Sequence, residues 1–434
     1  MLHIAAYSIP SSPIPVDMNI KMKAKNIKAY VDKLPFNISG RLVRPIFRYI
    51  QKIIPEFVNL IYSPLAAVLW VLRIRVPDFF TDRIGHLMSE PDCFLKEYFL
   101  KTGKYPKAIL LAPLGQAANH AAVKYWGKYF IVVCNPFFVK LLGPLQSHRW
   151  TKFSTGRYLV AMYQTADAYL INAKWGGRPS LLKLGKFDAE RGCETLGLMG
   201  VPKGAWHVCV HAREGLYSPH DEQYHSFRNT PISDLEKAIA FVVSQGGICI
   251  RMGDSTMKPA PKISGLLDYA LSPYKKDWMD LYLCATCKFF LGSNSGAYQM
   301  AAVFGRPSAL VNMAPLSAIA TGINDLSTPM LYRQGIHGPV ISFGEIFQTP
   351  YADFRLTEEY ENANITLIHN TPEEILDLVI ELFNRVQGTH VIREDDELRQ
   401  TQFKAMMRLG HHSYGTASRI GNAFLKKYQA LLRG

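Results

Sequence analysis

The stretch KFFLGSNSGAYQMAAVFGRP, Lys288 to Pro307, decides how the rest of this chain is read. Phe289, Phe290 and Leu291 form a short apolar run of the kind that central parallel strands carry. Gly292-Ser293-Asn294-Ser295-Gly296 then breaks the run with small polar residues. From Ala297 the apolar positions fall at Ala297, Met300, Ala301 and Phe304, one face of a helix, and Gly305-Arg306-Pro307 ends it. A polar turn that opens a helix after a buried strand is a seat for an anion, because unpaired N–H donors and the positive end of the helix dipole converge there. An ordinary capped helix carries the same signature, so the turn gains its weight from its surroundings.

Upstream, Trp206–His211 predicts a strand whose end delivers Arg213. Ser233-Asp234-Leu235-Glu236 reads as a capping box, opening a helix with Leu235, Ala238, Ile239 and Val242 inward. Ile248–Gly253 is a further strand with Arg251 at its exit, and Ser308–Asn312 is the strand after the anchor stretch. Three strand exits therefore end in polar groups: Arg213, Arg251, and the turn of Ser293, Asn294, Ser295 and Gly296. Ligands of open parallel sheets sit at the carboxyl ends of strands. Two guanidinium groups beside a helix N-terminus match the oxygens of a diphosphate.

The first half repeats the alternation. Val71–Val76 reads as a strand, Ser89-Glu90-Pro91-Asp92 as a helix start, Lys107–Leu111 as a strand, Ala118–Tyr129 as a helix and Phe130–Cys134 as a strand. Asn135 to Lys203 reads as helix and loop, and the tail from Pro372 onward as helical. Alternating strands and helices predict an α/β protein with parallel sheets covered on both faces. At 434 residues the chain is too long for one core, so two domains are expected. The expected division is an N-terminal arm over 1–40, an apolar and basic segment over 41–72, domains over 73–205 and 206–385, and C-terminal helices over 386–434.

The net charge of +14 requires a partner class: nucleic acid, an anionic membrane surface or an anionic small substrate. Positive charge concentrates toward the N-terminus, where Arg41, Arg44, Arg48 and Lys52 alternate with bulky apolar residues. Phe57–Leu72 then carries no charge over 16 residues, short of the roughly 18–20 that a spanning helix needs, and Pro64 interrupts it. This suits a segment lying in a membrane interface with its cations toward lipid phosphates; a buried helix pair of the first domain and, less favoured, a full transmembrane span are the other readings. No RNA or DNA module is present, so nucleic acid is not expected as a partner. There is no GxGxxG after the first strand, no P-loop, no HExxH and no GxSxG elbow. Seven scattered cysteines form no disulfide framework, and Cys284-x-x-Cys287 lacks a second pair to complete a zinc site, so no metal is expected. The N-terminus lacks the pattern of a secretory signal.

The ordered set RIGHL at 83–87, HAREG at 211–215, FRN at 227–229, IRMGD at 250–254 and the anchor stretch resembles a family of bacterial glycosyltransferases from surface-polysaccharide (O-antigen and capsule) gene clusters. The resemblance implies the GT-B fold, two Rossmann-like domains facing a cleft, with the acceptor on the first and a nucleotide sugar on the second. It implies transfer of a sugar from a nucleotide donor, as substrate and without a separate cofactor or metal, to a saccharide acceptor that is lipid-linked. Arg213, Arg251, Ser293, Asn294, Ser295 and Gly296 would then stabilise the diphosphate leaving group. In several GT-B families a glycine-histidine pair after the first strand carries the base, and Gly85-His86 sits there; Glu90 and Asp92 are rival bases. The HxR strand end is also similar to that of GT-B fucosyltransferases, but the second basic residue and following acid of that signature are missing, which argues against GDP-fucose. A lipid-linked acceptor would place the protein at the cytoplasmic face of the membrane, peripheral or monotopic. Two alternatives remain: a non-hydrolysing sugar-nucleotide epimerase of similar fold, and a basic membrane- or nucleic-acid-binding protein without enzymatic activity.

Overall fold

The computed structural model describes residues 38–159, 164–217 and 219–432. The arm expected over 1–40 lies outside the described residues, apart from 38–40, which already belong to a helix. That helix, α1 (Ile38–Val71), is continuous over 34 residues and runs through Pro64. The sequence suggests a break there because proline removes an N–H. The carbonyl left over belongs to Leu60, which is 70% exposed and open to solvent. One face of the helix is held by packing, with Tyr62, Ala66 and Leu69 set against the first sheet.

The first sheet has the order β3-β2-β1-β4, all parallel, from β1 (Ile74–Pro77), β2 (Lys107–Leu111), β3 (Ile131–Val133) and β4 (Lys152–Phe153). Its helices are α2 (Ile84–Thr102), α3 (His120–Trp126), α4 (Pro136–Leu142), α5 (Asp167–Trp175) and α6 (Lys186–Leu198). The period of two along β2 divides the layers. Ile109 and Leu111 face α1 and α4, while Ala108 and Leu110 face α2, α3 and α5. The stretch expected to hold only helix and loop contributes β4, a two-residue strand too short to announce itself by alternation.

α2 begins at Ile84, five residues before the expected start at Ser89, and Pro91 lies inside it. The carbonyl that Pro91 cannot serve is that of Leu87, and the Trp126 indole N–H donates to it at 2.9 Å. A tertiary donor thus replaces the missing helical one, and the helix extends back to His86.

The second sheet has seven parallel strands in the order β13-β10-β9-β8-β5-β6-β7. They are β5 (Trp206–His211), β6 (Gly247–Arg251), β7 (Leu266–Leu267), β8 (Phe290–Ser293), β9 (Ser308–Met313), β10 (Leu326–Pro329) and β13 (Arg419–Ile420). A separate antiparallel pair is formed by β11 (Leu331–Gln334) and β12 (Ile365–Ile368). Val208, Val210, Phe289 and Leu291 point toward α7 (Glu236–Ser244) and α10 (Pro372–Gln387). Cys209, Ile250 and Phe290 point to the opposite face, onto α8 (Asp277–Thr286) and α9 (Gln299–Ala302). Leu235, Ala238, Ile239 and Val242 are buried as their spacing requires. The capping box is not formed: α7 begins at Glu236 after a tight turn, with no side-chain cap. The tail is not helices alone, since β13 pairs with β10 at the sheet edge and joins it to the second unit.

In both sheets the chain reverses direction beside its first strand. β1 lies between β2 and β4, and β5 lies between β6 and β8. Each sheet therefore has a topological switch point, the place where open α/β sheets leave a crevice at their carboxyl edge.

Candidate functional site

At the switch point of the second sheet, the exit of β5 carries His211-Ala212-Arg213-Glu214 and the exit of β8 carries Ser293-Asn294-Ser295-Gly296. The two exits are tied directly: the Arg213 backbone N–H donates to the buried Ser293 hydroxyl at 2.9 Å. Asn294 spends its side-chain amide on the carbonyl of Ala314, at the end of β9. The Ser295 hydroxyl accepts from Ala297 N–H at 3.4 Å, a weak cap. The turn expected to hold an anion is therefore largely braced by its own side chains. Its remaining capacity lies in the backbone and in the cations beside it.

The guanidinium of Arg213 is mostly buried, hydrogen-bonded to the Asn229 amide oxygen, with Glu222 at 3.4 Å. The loop after β5 returns to this point, closing through Thr230 N–H to the Arg213 carbonyl at 3.2 Å. The return brings Arg228, whose Nε donates to the Asn294 carbonyl at 2.9 Å. Arg228 was given no role by its sequence position. Only the folding back of its loop sets it against the turn, and no local spacing encodes that.

Arg251 has a different place from the one its strand exit suggests. Its side chain is 1% exposed. One terminal nitrogen bridges both oxygens of Asp268 at 3.1 Å, and the other meets Glu214 at 2.7 Å. Two carboxylates around one guanidinium leave no net positive charge for a diphosphate, so Arg251 cross-links the exits of β5, β6 and β7 instead. His211 has a bracing task too. Its Nδ1 meets the Met252 carbonyl at 3.1 Å, and burial pushes its pKa below the ordinary histidine value.

The first sheet's switch point is built from carboxylates. Asp78, after β1, accepts the Thr155 backbone N–H at 2.7 Å and so joins the exits of β1 and β4. Glu90 is buried and accepts from Phe80 N–H at 2.9 Å and from the Thr155 hydroxyl at 3.2 Å. Its other oxygen lies 2.8 Å from His86 Nδ1, with the imidazole 37% exposed. His86 and Glu90 are four residues apart on α2 and share a face. A buried carboxylate thus orients a partly exposed imidazole through its Nδ1 and leaves Nε2 as the other ring nitrogen, the base-and-orienter arrangement of acid–base sites. Glu90, named with His86 as a candidate base, is buried behind it and holds its imidazole.

Asp92, the third candidate, lies apart from this pair. Six residues along α2 from His86, it turns roughly 240° away and is buried against Lys96 at 2.6 Å. It lines a small cavity of about 40 Å³ with Asn172, Gln299 and Thr321. Burial raises its pKa.

The two switch points meet. A Cβ on Gly85 would lie 2.9 Å from the Cα of Gly296, and the converse holds. His86, next in sequence, is thereby held near the serine-rich turn, to which Arg213 donates its backbone N–H and Arg228 its Nε. Among the described residues no cluster of His, Cys, Asp and Glu is arranged to hold a metal ion.

No family model matches the chain, and no curated protein matches it in sequence. Among solved structures it is similar to the E. coli ADP-heptose LPS heptosyltransferase II, at 11% identity and a TM-score of 0.40, over 73% of this chain and 99% of that one. It is similar to the iron-containing dodecameric glycosyltransferase TibC of enterotoxigenic E. coli at 11% identity and a TM-score of 0.37, over 73% and 77%. The E. coli heptosyltransferase WaaC with ADP gives 13% identity and a TM-score of 0.33, over 59% and 90%. Likeness this distant defines no family for the chain, whose function has to follow from its own geometry.

Proposed function

We propose that this protein is a GT-B-type glycosyltransferase that moves a sugar from a nucleotide-sugar donor to a lipid-linked saccharide of bacterial surface-polysaccharide synthesis. The observation that carries this reading is the Gly85–Gly296 contact, which brings an oriented imidazole to a turn flanked by two arginines. An acceptor hydroxyl would attack the anomeric carbon while the bond to the diphosphate oxygen breaks. The hydroxyl proton passes to His86 Nε2, and Glu90 stabilises the resulting imidazolium. Negative charge that develops on the leaving diphosphate is met by Arg213, by Arg228 and by backbone N–H groups of the turn at 293–296. Arg251 acts only by holding the strand exits.

The same reading places α1 on the cytoplasmic face of the membrane, as a helix lying in the interface. One side of α1 is packed on the first sheet, while Ile61, Leu65 and Val68 are exposed. Ile54–Val71 is long and apolar enough to cross a bilayer by length and composition. The packed face supports a helix that lies along the surface instead.

The test is a thermal-shift and calorimetric screen against nucleoside diphosphates and their sugars. Binding of one of them, weakened by roughly 1.5–3 kcal/mol in Arg228→Ala, is the expected result. Failure of every nucleotide sugar to bind would reject the reading. Epimerisation of the donor in the absence of acceptor would reassign the site to an epimerase.

A further inference from the structure

The edge of the first sheet that carries His86 also presents apolar side chains to solvent. Phe80 follows β1, Leu114 follows β2, and Phe137, Phe138 and Leu141 lie on α4, which follows β3. All five are exposed, from 42% for Phe80 to 68% for Phe137. β1, β2 and β3 are parallel neighbours, so their exits stand side by side. The Leu114 N–H donates to the Cys134 carbonyl at 2.9 Å and joins the second exit to the third. The ring of Phe80 lies 5.3 Å from the imidazole of His86. At its far end the strip meets α1, through the Tyr62 hydroxyl donating to the Leu141 carbonyl at 2.8 Å. Scattered exposed apolar residues need no explanation, but a strip that lines one sheet edge and runs up to the packed side of an apolar helix does.

Charge identifies the occupant. Residues 38–159 contain 17 Lys and Arg against six Asp and Glu, whereas residues 164–434 contain 27 of each. The excess of +14 therefore lies wholly in the part of the chain that bears the strip and what precedes it. α4 itself carries Lys140 and no acid. Apolar surface within a basic unit is the complement of an anionic bilayer, where acyl chains and headgroup phosphates are offered together.

We propose that this strip is a second membrane contact, beyond α1, through which the carboxyl edge of the first sheet lies on an anionic lipid bilayer. Phe137, Phe138 and Leu141 enter the boundary between headgroups and acyl chains, and Lys140 meets phosphates. His86 then opens onto the membrane surface, so a hydroxyl on a lipid-borne saccharide meets it without the lipid leaving the bilayer. The inference deepens the proposed attachment through α1 and rests on it.

The experiment is flotation of the full chain with vesicles of phosphatidylcholine, with and without phosphatidylglycerol, and no nucleotide or acceptor present. The triple variant Phe137→Ser, Phe138→Ser, Leu141→Ser should partition onto anionic vesicles about tenfold or more weakly, with an unchanged melting temperature and residual attachment through α1. In a second measurement, Phe137→Trp should gain emission quenching by brominated acyl chains above that of the native tryptophans. Equal partitioning of the triple variant, or no added quenching, would overturn the proposal. So would a lipid-free dimer that the triple variant converts to monomer, which would give the strip to a second copy. Because the assay reads lipid binding alone, its failure leaves the transfer chemistry standing, and failure of the transfer chemistry leaves its result intact.

Discussion

The facing edges of the two sheets share a strand arrangement and differ in the chemistry that braces it. Around β1 the exits are held by carboxylates, Asp78 on Thr155 and Glu90 on Phe80, Thr155 and His86. Around β5 they are held by the Ser293 hydroxyl and by Arg251 between two acids. The most buried charge on each edge, Glu90 and Arg251, is a brace. The groups to which the proposed chemistry falls are the ones these braces position: His86 on the first edge, Arg213 and Arg228 on the second. A charged residue at a strand exit is thus not a ligand-binding residue by type; the acids closed around it decide, two on Arg251 against one on Arg213.

The comparison breaks most visibly at His86. His86→Ala should reduce sugar transfer by about 10²–10⁴-fold, the range for loss of a general base, while nucleotide binding and thermal stability stay near wild type. Glu90→Gln should lower turnover less, since the imidazole stays but loses its charged partner. Full activity of His86→Ala in a transfer assay would move the base elsewhere. On the other edge, Arg251→Ala should act on the fold. It leaves Glu214 and Asp268 facing each other over a vacated buried site, a loss of about 3–5 kcal/mol measurable by denaturant unfolding. Unaltered stability with weakened nucleotide affinity would restore the ligand role that its strand exit first suggests.

The contact between the edges is sharpened by Gly85→Ala. The new methyl would stand 2.9 Å from Gly296 Cα, a backbone atom that cannot rotate aside. The units must separate locally, at a cost of about 1–3 kcal/mol in the unfolding midpoint. Gly103→Ala is no fair control, because that glycine adopts a left-handed conformation; Gly197, with nothing near its Cβ position, is.

Much of this architecture is legible in the chain. Short apolar runs such as KAILL and WHVCVH become β2 and β5 over the residues read as strands, and the anchor stretch becomes strand, turn and a helix shorter than its apolar face suggests, a tight turn at Gly296–Tyr298 followed by Gln299–Ala302. What escapes is what depends on partners distant in sequence. β4 and β13 are two residues each and exist only by pairing with β1 and β10. Arg251 reads as a free cation until Asp268 and Glu214 close on it. Arg228 is silent until its loop returns. Asp92 reads as equal to Glu90, although the turn of α2 sends one toward the cleft and the other into the interior.

The start of α2 is the sharpest case, since on it depends whether His86 and Glu90 share a face at all. A proline at position 91 argues for a helix beginning nearby, because only first-turn positions tolerate a missing N–H at no cost. The helix nevertheless begins at Ile84, and the carbonyl of Leu87 takes its hydrogen from the Trp126 indole at 2.9 Å. Trp126 is fully buried, so water cannot substitute. Trp126→Phe keeps most of the apolar volume and removes the donor, leaving a buried carbonyl unsatisfied at about 1–3 kcal/mol, less any relaxation. If the indole bond is what extends α2 toward its N-terminus, hydrogen exchange should quicken in the turn that carries His86 while the C-terminal turns stay protected. Uniform protection along α2 in that variant would mean that packing of Leu87 and Met88 alone sets the helix start, and that the alignment of His86 by Glu90 owes nothing to Trp126.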